Sequence, residues 1–364
     1  MSQKINNTSI ILTALLQHSG RLAASVTNTD SYDGESIKFF GQLAEKFPFL
    51  IPHYEFFKSF LNGDLKKAEE ITGLAKSVLI NSEAGGENLQ NTTLPDAPLL
   101  NILSKIEIDE NRTLPNEFHF FKPCIISEFF SSRDRHSTSE VDNKKREEIK
   151  SENAKLFGKL KEEILSLPLK NSESFVDTLL NLFEKYFSFS ASNITINPDV
   201  SFYDEVKTAA GLSSCLNLTE NPEKPFILLN ADLSGIQSFL YSDDNPIENS
   251  KRGLNKRLRG KSFYLSLLSD FATDYFLREL NLLRVHVLMN GGGHFILLLP
   301  NQKEILKKIE EIREKIQIWL FEEYKGALTL NLAYLEADVE FYQKFEVWYA
   351  KLSDKLLETK RRKN

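Results

Sequence analysis

The chain has 364 residues, 41% hydrophobic and 26% charged, with a formal net charge of −6; this is the balance of an ordinary globular protein and excludes one that coats nucleic acid over its whole surface, while leaving room for a local basic patch. The length exceeds what one core usually holds, so two or three domains are expected. No apolar run approaches the roughly 18 residues of a membrane helix, SIILTALLQHSG lacks a basic leader and a cleavage site, and Cys124 and Cys215 have no CxxC spacing, so a cytoplasmic chain without disulfide framework, structural metal or membrane contact is expected.

Residues 1–125 read as a helical domain. Ile11, Leu12, Leu15, Leu16 and Leu22 recur at helical spacing, and HYEFFKSFLNGDLKKAEEITGLAKSVLI contains no proline after Pro52. The polar segment SEAGGENLQNTTLPDAP interrupts the helices as a loop. His53, alone among aromatics, reads as a packed side chain. Residues 126–220 read as a helical connecting region: the charged stretch from Ser139 to Leu165 keeps a register through Leu156, Leu160 and Ile164, and predicts a solvated helix between two bodies. FVDTLLNLFEKYF predicts another helix.

Residues 221–340 predict a second, α+β domain. FILLNADL is a buried strand ending near Asp232, and SGIQSFLYS opens a short helix. A longer helix follows with Tyr264, Leu267, Leu268, Phe271 and Tyr275 on its buried face. RVHVLMN and HFILLLP flank Gly291, Gly292 and Gly293 as a hairpin. The next helix carries Ile305, Ile309, Ile312, Ile316 and Trp319, and ALTLNLAYL closes the region as a strand with Leu328, Leu330, Leu332 and Tyr334 on one face. The order βαββαβ is that of a ferredoxin-like unit. Residues 341–364 predict a helix with a basic tail, Lys360 to Lys363, which needs no ligand.

Glycine weakens a strand, so three at one hairpin tip need a reason. Packing alone is one reading. The other is that a nucleotide approaches the backbone there, opposite Asp232, Ser234 and Gly235, with Asn290 at the edge of the tip. The run KRGLNKRLRGK holds Lys251, Arg252, Lys256, Arg257, Arg259 and Lys261 with no acidic residue between them. Placed just before and into a helix start, Lys256, Arg257, Arg259 and Lys261 are candidates for contact with phosphate or RNA.

DVSFYDEVKTAAGLSSC, ADLSGIQSFLYS, LRGKSFYLSLL and MNGGGHFILLLPN, in this order over residues 199–301, resemble the large polymerase-like subunit of type III CRISPR effector complexes, of the Csm (III-A) type in particular. The resemblance implies an HD-type nuclease domain, then a ferredoxin-like palm that faces a second palm bearing GGDD, with ATP between the two. It also implies the making of cyclic oligoadenylate in antiviral defence. Partners so implied are the subunit that caps the crRNA 5′ end, small helical subunits, crRNA and target RNA. Departures from the pattern matter. Gln17 and His18 stand where the metal-binding His and Asp would be, and Lys76 replaces an Asp, so the HD-like domain reads as degenerate. Gly293 and His294 stand where an acidic pair would hold Mg²⁺, so no residue of the chain reads as catalytic or as a metal ligand.

No GGDD and no cysteine cluster occurs in the 364 residues. The expectation is the N-terminal half of a split large subunit, not catalytic alone, that cradles ATP while another chain carries GGDD and supplies most of the Mg²⁺. The alternatives are a palm homodimer with cyclase activity, in which Asp232 alone holds the metal, and a stand-alone nucleotide sensor.

Overall fold

The computed structural model describes residues 5–27, 32–80, 98–101, 120–131, 143–192, 199–241 and 251–361, in two units, 1–217 and 218–364. The polar loop expected at 82–97 and the tail residues Arg362 and Lys363 lie outside them. The chain mixes helices with antiparallel sheet, as the α+β expectation requires. No helix among the described residues is long and apolar enough to cross a membrane.

The first unit is built from α1 (Asn7–Leu16), α2 (Ser19–Thr27), α3 (Tyr32–Lys46), α4 (Ile51–Leu61), α5 (Lys66–Ile80), α6 (Ile126–Ser131), α7 (Asn143–Ser166), α8 (Ser172–Phe187) and α9 (Phe202–Leu218). Asn6 and Asn171 cap α1 and α8, their side chains accepting from Ser9 N and Ser174 N. The strand pair β1 (Leu99–Leu100) and β2 (Phe120–Phe121), antiparallel, interrupts what the sequence presents as purely helical. The charged helix α7 is not a solvated connector. It packs on α2 and α8, burying Ile149, Leu156, Phe157, Leu160 and Ile164, with Phe157 edge-on to Phe39 at 4.9 Å. A buried stripe at spacings of three and four suffices to seat a helix whose other faces are mostly charged. Residues 126–217 therefore belong to the first unit rather than to a separate body.

The second unit holds β3 (Phe226–Ser234), α10 (Ile236–Tyr241), α11 (Lys251–Glu279), β4 (Val287–Gly291), β5 (His294–Pro300), α12 (Lys303–Tyr324), β6 (Thr329–Ala337) and α13 (Phe345–Arg361). The sheet runs β4-β5-β3-β6 with every neighbour antiparallel. Period-2 alternation sends Ile227, Leu229, Ala231 and Leu233 of β3 into a core with Leu265, Leu268 and Phe276 of α11 and Ile305, Ile309, Ile312 and Ile316 of α12. The even positions, Asn230, Asp232 and Ser234, face the other side, where α13 lies against β6 and β3.

Two expected core faces are rotated. Phe271 is 66% exposed, Tyr264 is exposed too, and Leu265 and Phe276 take the buried face of α11. Likewise Leu320 is buried in place of Trp319, which is exposed. Both helices carry more apolar residues than one face can bury. The surplus Tyr264, Phe271 and Trp319 line a groove between α11 and α12 of about 820 Å³.

Candidate functional site

At the end of β3, register sets the site. Asp232 lies opposite His294 on β5 and Asn331 on β6, and His294 lies opposite Gly291 on β4. Directly opposed residues of antiparallel strands share a face, so Gly291, His294, Asp232 and Asn331 form one row across all four strands, on the face away from α11 and α12.

Polar contacts tie the row together. Asn331 Nδ2 donates to Ser234 Oγ at 2.8 Å, and Ser234 Oγ donates to Asp232 Oδ2 at 3.0 Å. The Lys360 ammonium of α13 lies 2.7 Å from the same Asp232 oxygen. Asn331 is buried, and its Oδ1 is without a partner among the described residues. A ligand with a hydrogen-bond donor fits such an acceptor. His294 bonds Asn230 Oδ1 through Nε2. Burial and the Lys360 charge push the imidazole below the ordinary histidine range, against an opposing pull from Asp232, so at neutral pH it is uncharged.

The glycines divide by reason. Gly292 and Gly293 form the two-residue loop between the paired Gly291 and His294, with φ of 63° and 85°. Positive φ at both central positions is the type I′ geometry that suits the twist of a hairpin. A Cβ at Gly293 would also meet Ile236 Cδ1 at 2.6 Å. Gly291 is different: its φ is not positive and a Cβ there would meet nothing within 4 Å. It is the glycine that the fold does not require, and it lies in the row of Asp232. Gly235, with φ 94°, is held by the fold, because a Cβ would come within 2.0 Å of Ala327 O.

Asn290 is not part of the row. It points to the helix side, donating to Asp270 Oδ1 at 2.7 Å and accepting from Ser269 Oγ at 2.9 Å, and so pins the hairpin to α11. The basic run lies within α11 from its first residue, not ahead of it. Lys256 and Arg259 are exposed and Arg257 half-buried. Lys261 turns inward, donating to Phe239 O at 2.9 Å with its ammonium 5.4 Å from the centre of the Phe239 ring. Asn331 and Asn230 were legible as polar residues at period 2 in apolar strands. Lys360 carried no such signal.

In the first unit, Gln17 closes α1, its N–H bonded to Thr13 O. Burial, Arg21 and Lys76 together push the His18 imidazole well below its ordinary range, and burial and Arg21 lower the Lys76 ammonium against a raising effect of Glu205. Two cations thus face His18. Among the described residues no group of three or more His, Cys, Asp or Glu is placed to hold a metal. His53 is packed as expected: Nδ1 bonds Ser9 Oγ at 2.8 Å and Nε2 bonds Ser172 Oγ at 3.1 Å. Burial raises both cysteine thiols, Cys124 to about 11, so neither is a nucleophile.

Residues 225–364 match a family model described as Csm1 subunit domain B. The CRISPR system single-strand-specific deoxyribonuclease Cas10/Csm1 (subtype III-A) of Mycobacterium tuberculosis is 31% identical over 198 residues, covering 49% of this chain and 24% of the relative. That of Enterococcus italicus is 27% identical over 361 residues, covering 88% of this chain and 45% of the relative. A Csm1–Csm4 cassette solved in complex with one ATP has a TM-score of 0.71 at 20% identity, covering 98% of this chain and 48% of that one. The cassette in complex with cA4 has a TM-score of 0.67, also at 20% identity, covering 98% and 48%. The chain is thus similar in sequence to type III-A Cas10/Csm1, as its motif order anticipates, and spans less than half the length of these relatives.

Proposed function

We propose that residues 1–364 are the N-terminal half of a type III-A CRISPR large subunit: a degenerate HD-like domain followed by the first of two ferredoxin-like palms that hold ATP between them. The observation that carries this is the row Gly291, His294, Asp232 and Asn331 on the face of the sheet opposite its two helices. Gly291 admits a nucleotide close to the backbone. The unpartnered Asn331 Oδ1 accepts from an adenine amine or a ribose hydroxyl, and Ser234 holds the Asn331 amide in place.

The row does not fit Mg²⁺. Its single carboxylate, Asp232, already faces Lys360, and the remaining groups are amide, hydroxyl and a neutral imidazole, whereas Mg²⁺ takes hard oxygen ligands in octahedral geometry. The metal is therefore assigned to a second, GGDD-bearing palm outside residues 1–364, and this chain supplies binding and orientation. The same observation counts against a palm homodimer with cyclase activity. In this reading the chain works in the cytoplasm in an RNA-guided complex. Its partners there are the crRNA 5′-capping subunit, small helical subunits, crRNA and target RNA.

The test is calorimetric titration of ATP into the chain assembled with the GGDD palm. Asn331→Leu weakens binding by the roughly 0.5–1.5 kcal/mol of a lost hydrogen bond, and Gly291→Val weakens it further. Unchanged affinity in both variants, with thermal melting intact, would withdraw the assignment.

A further inference from the structure

Two helices cover the same face of the second sheet, and they treat their cations in opposite ways. On α12, Lys307 pairs with Glu311, Lys308 with Glu304, Arg313 with Glu310 and Lys315 with Glu279. On the first half of α11, Lys256, Arg257 and Arg259 have no ion-pair partner among the described residues, and residues 251–269 contain no Asp or Glu at all. Like charges at such short helical spacing repel each other. In a chain of net charge −6, a cationic face of this kind, unpaired among the described residues, suits an anion that those residues do not supply.

Aromatic placement narrows that anion. Lys256, Arg259 and Phe263 stand at i, i+3 and i+7, hence on one face of α11, and Phe263 is 66% exposed. Gly260, between them, would bear a Cβ that meets nothing within 4 Å, so packing among the described residues gives no reason for a glycine there. Its bare backbone lets a ligand come close. Lys261 anchors this stretch to α10 through Phe239 O, which keeps the outward face fixed. Cations that follow a phosphate backbone, beside an aromatic ring open to stacking, are the elements of a single-strand site. A duplex keeps its bases stacked and presents none to Phe263.

The face is also distinct from the nucleotide row. Asp270 of α11 is bonded to Asn290 beside the glycines, and Lys256 lies 14 residues earlier, about 21 Å along the helix axis at 1.5 Å per residue. A single nucleotide at Gly291 does not span that gap.

We propose that the first half of α11 is a binding track for single-stranded RNA, with Lys256, Arg257 and Arg259 on the phosphates and Phe263 under a base. The proposal rests on the reading above only in taking the strand to be RNA.

The experiment is fluorescence anisotropy of a labelled 12-nucleotide single-stranded RNA with the full chain, across a salt series. Lys256→Glu with Arg259→Glu weakens binding at least tenfold at moderate salt, and the slope of log affinity against log salt falls by about 1.4, at about 0.7 per lost contact on a single strand. Phe263→Ala weakens it by about tenfold. The control Lys307→Glu with Lys308→Glu leaves it unchanged, as does Asp232→Asn, and single-stranded DNA of the same sequence shows the same dependence on the three track residues. RNA affinity unaffected by the track variants would overturn the proposal. So would an equal loss in the α12 control, or duplex RNA bound as tightly as single strand with Phe263→Ala silent. ATP titrated into the same variants keeps its affinity; a parallel loss of ATP binding would make these cations part of the nucleotide site and end the strand reading, whereas loss of ATP binding in Asp232→Asn alone leaves the track untouched.

Discussion

The Lys360 ammonium of α13 sits 2.7 Å from the Asp232 carboxylate at the end of β3. The pair couples a basic segment near the end of the chain to the residue on which the nucleotide row is centred, and it gives that carboxylate a fixed counter-charge. Both side chains are partly exposed, so the pair adds little to stability, roughly 0–1 kcal/mol. Its consequence is for metal binding. Lys360→Met is expected to leave thermal melting nearly unchanged and to make ATP binding several-fold tighter with Mg²⁺ than without it, while the parent chain binds ATP equally under both conditions. Calorimetric titration with and without Mg²⁺ checks this. Mg²⁺-enhanced binding already present in the parent would show that Lys360 does not neutralise Asp232.

The three hairpin glycines separate a turn requirement from a binding one. Gly293→Ala combines φ 85° with a Cβ 2.6 Å from Ile236 Cδ1 and is expected to cost more than the roughly 1–2 kcal/mol of left-handed backbone alone. Gly292→Ala has φ 63° and open space, and costs about that strain and nothing more. Gly291→Ala is expected to change stability by less than about 0.5 kcal/mol, as an unstrained surface substitution does. Urea denaturation orders the three. A Gly291→Ala loss as large as that of Gly293→Ala would contradict the division.

The sequence carried the second unit further than the first. Strands β3 and β5 were legible as short apolar runs, β6 by its alternation and α12 by Ile305, Ile309, Ile312 and Ile316, although its last turn buries Leu320 in place of Trp319; the Asp232–Ser234 corner followed from where the strand stops. Helix α11 misled: with Phe263, Tyr264, Leu267, Leu268, Phe271 and Tyr275 all apolar or aromatic, spacing alone cannot say which face the sheet covers, and Phe271 stays outside. The glycine triplet was legible as a site but not in its parts, since φ and Cβ clearance come only with coordinates. Lys360 could not be found, because a contact with Asp232 across the sheet leaves no local pattern. In α7 the charged residues hid a buried stripe that Leu156, Leu160 and Ile164 had already marked.

His286 makes the second unit sensitive to acid. It is fully buried, Nδ1 donates to Leu298 O at 2.9 Å, and burial lowers its pKa from 6.5 to about 4 despite that bond. A depressed folded-state pKa means that the unfolded chain takes up the proton first, so the contribution is complete above pH 6.5 and is lost as the pH falls towards 4. The size is on the order of 3 kcal/mol, from about 1.36 kcal/mol per pH unit. Trp319 and Trp348 both lie in the second unit, so tryptophan fluorescence in urea reports its unfolding. Stability should fall between pH 6.5 and 4 in the parent, and much less in His286→Gln, with a residue of pH dependence from His294. The same acid sensitivity in His286→Gln would assign it elsewhere.

The first unit is expected not to cut single-stranded DNA with Mn²⁺, Ni²⁺ or Co²⁺. A hydrolytic metal site needs several anionic or neutral donors facing one point, and two-metal sites need them to offset two dications. Here the charges that act on His18 are those of Arg21 and Lys76; Glu205, which acts on Lys76, is buried and already accepts a hydrogen bond from Ser192 Oγ at 2.8 Å. Burial first, and then the positive charges of Arg21 and Lys76, lower His18, and the same charges repel a cation at the imidazole. The sign of the charge can be reversed: Gln17→His with His18→Asp and Lys76→Asp replaces an amide, an imidazole and an ammonium by an imidazole and two carboxylates. That triple variant is expected to bind Mn²⁺ in calorimetric titration where the parent binds none, with thermal melting as the control for folding. Cleavage by the parent chain that requires metal and disappears in His18→Ala would mean that His18 is a working ligand and that the two cations do not close the site.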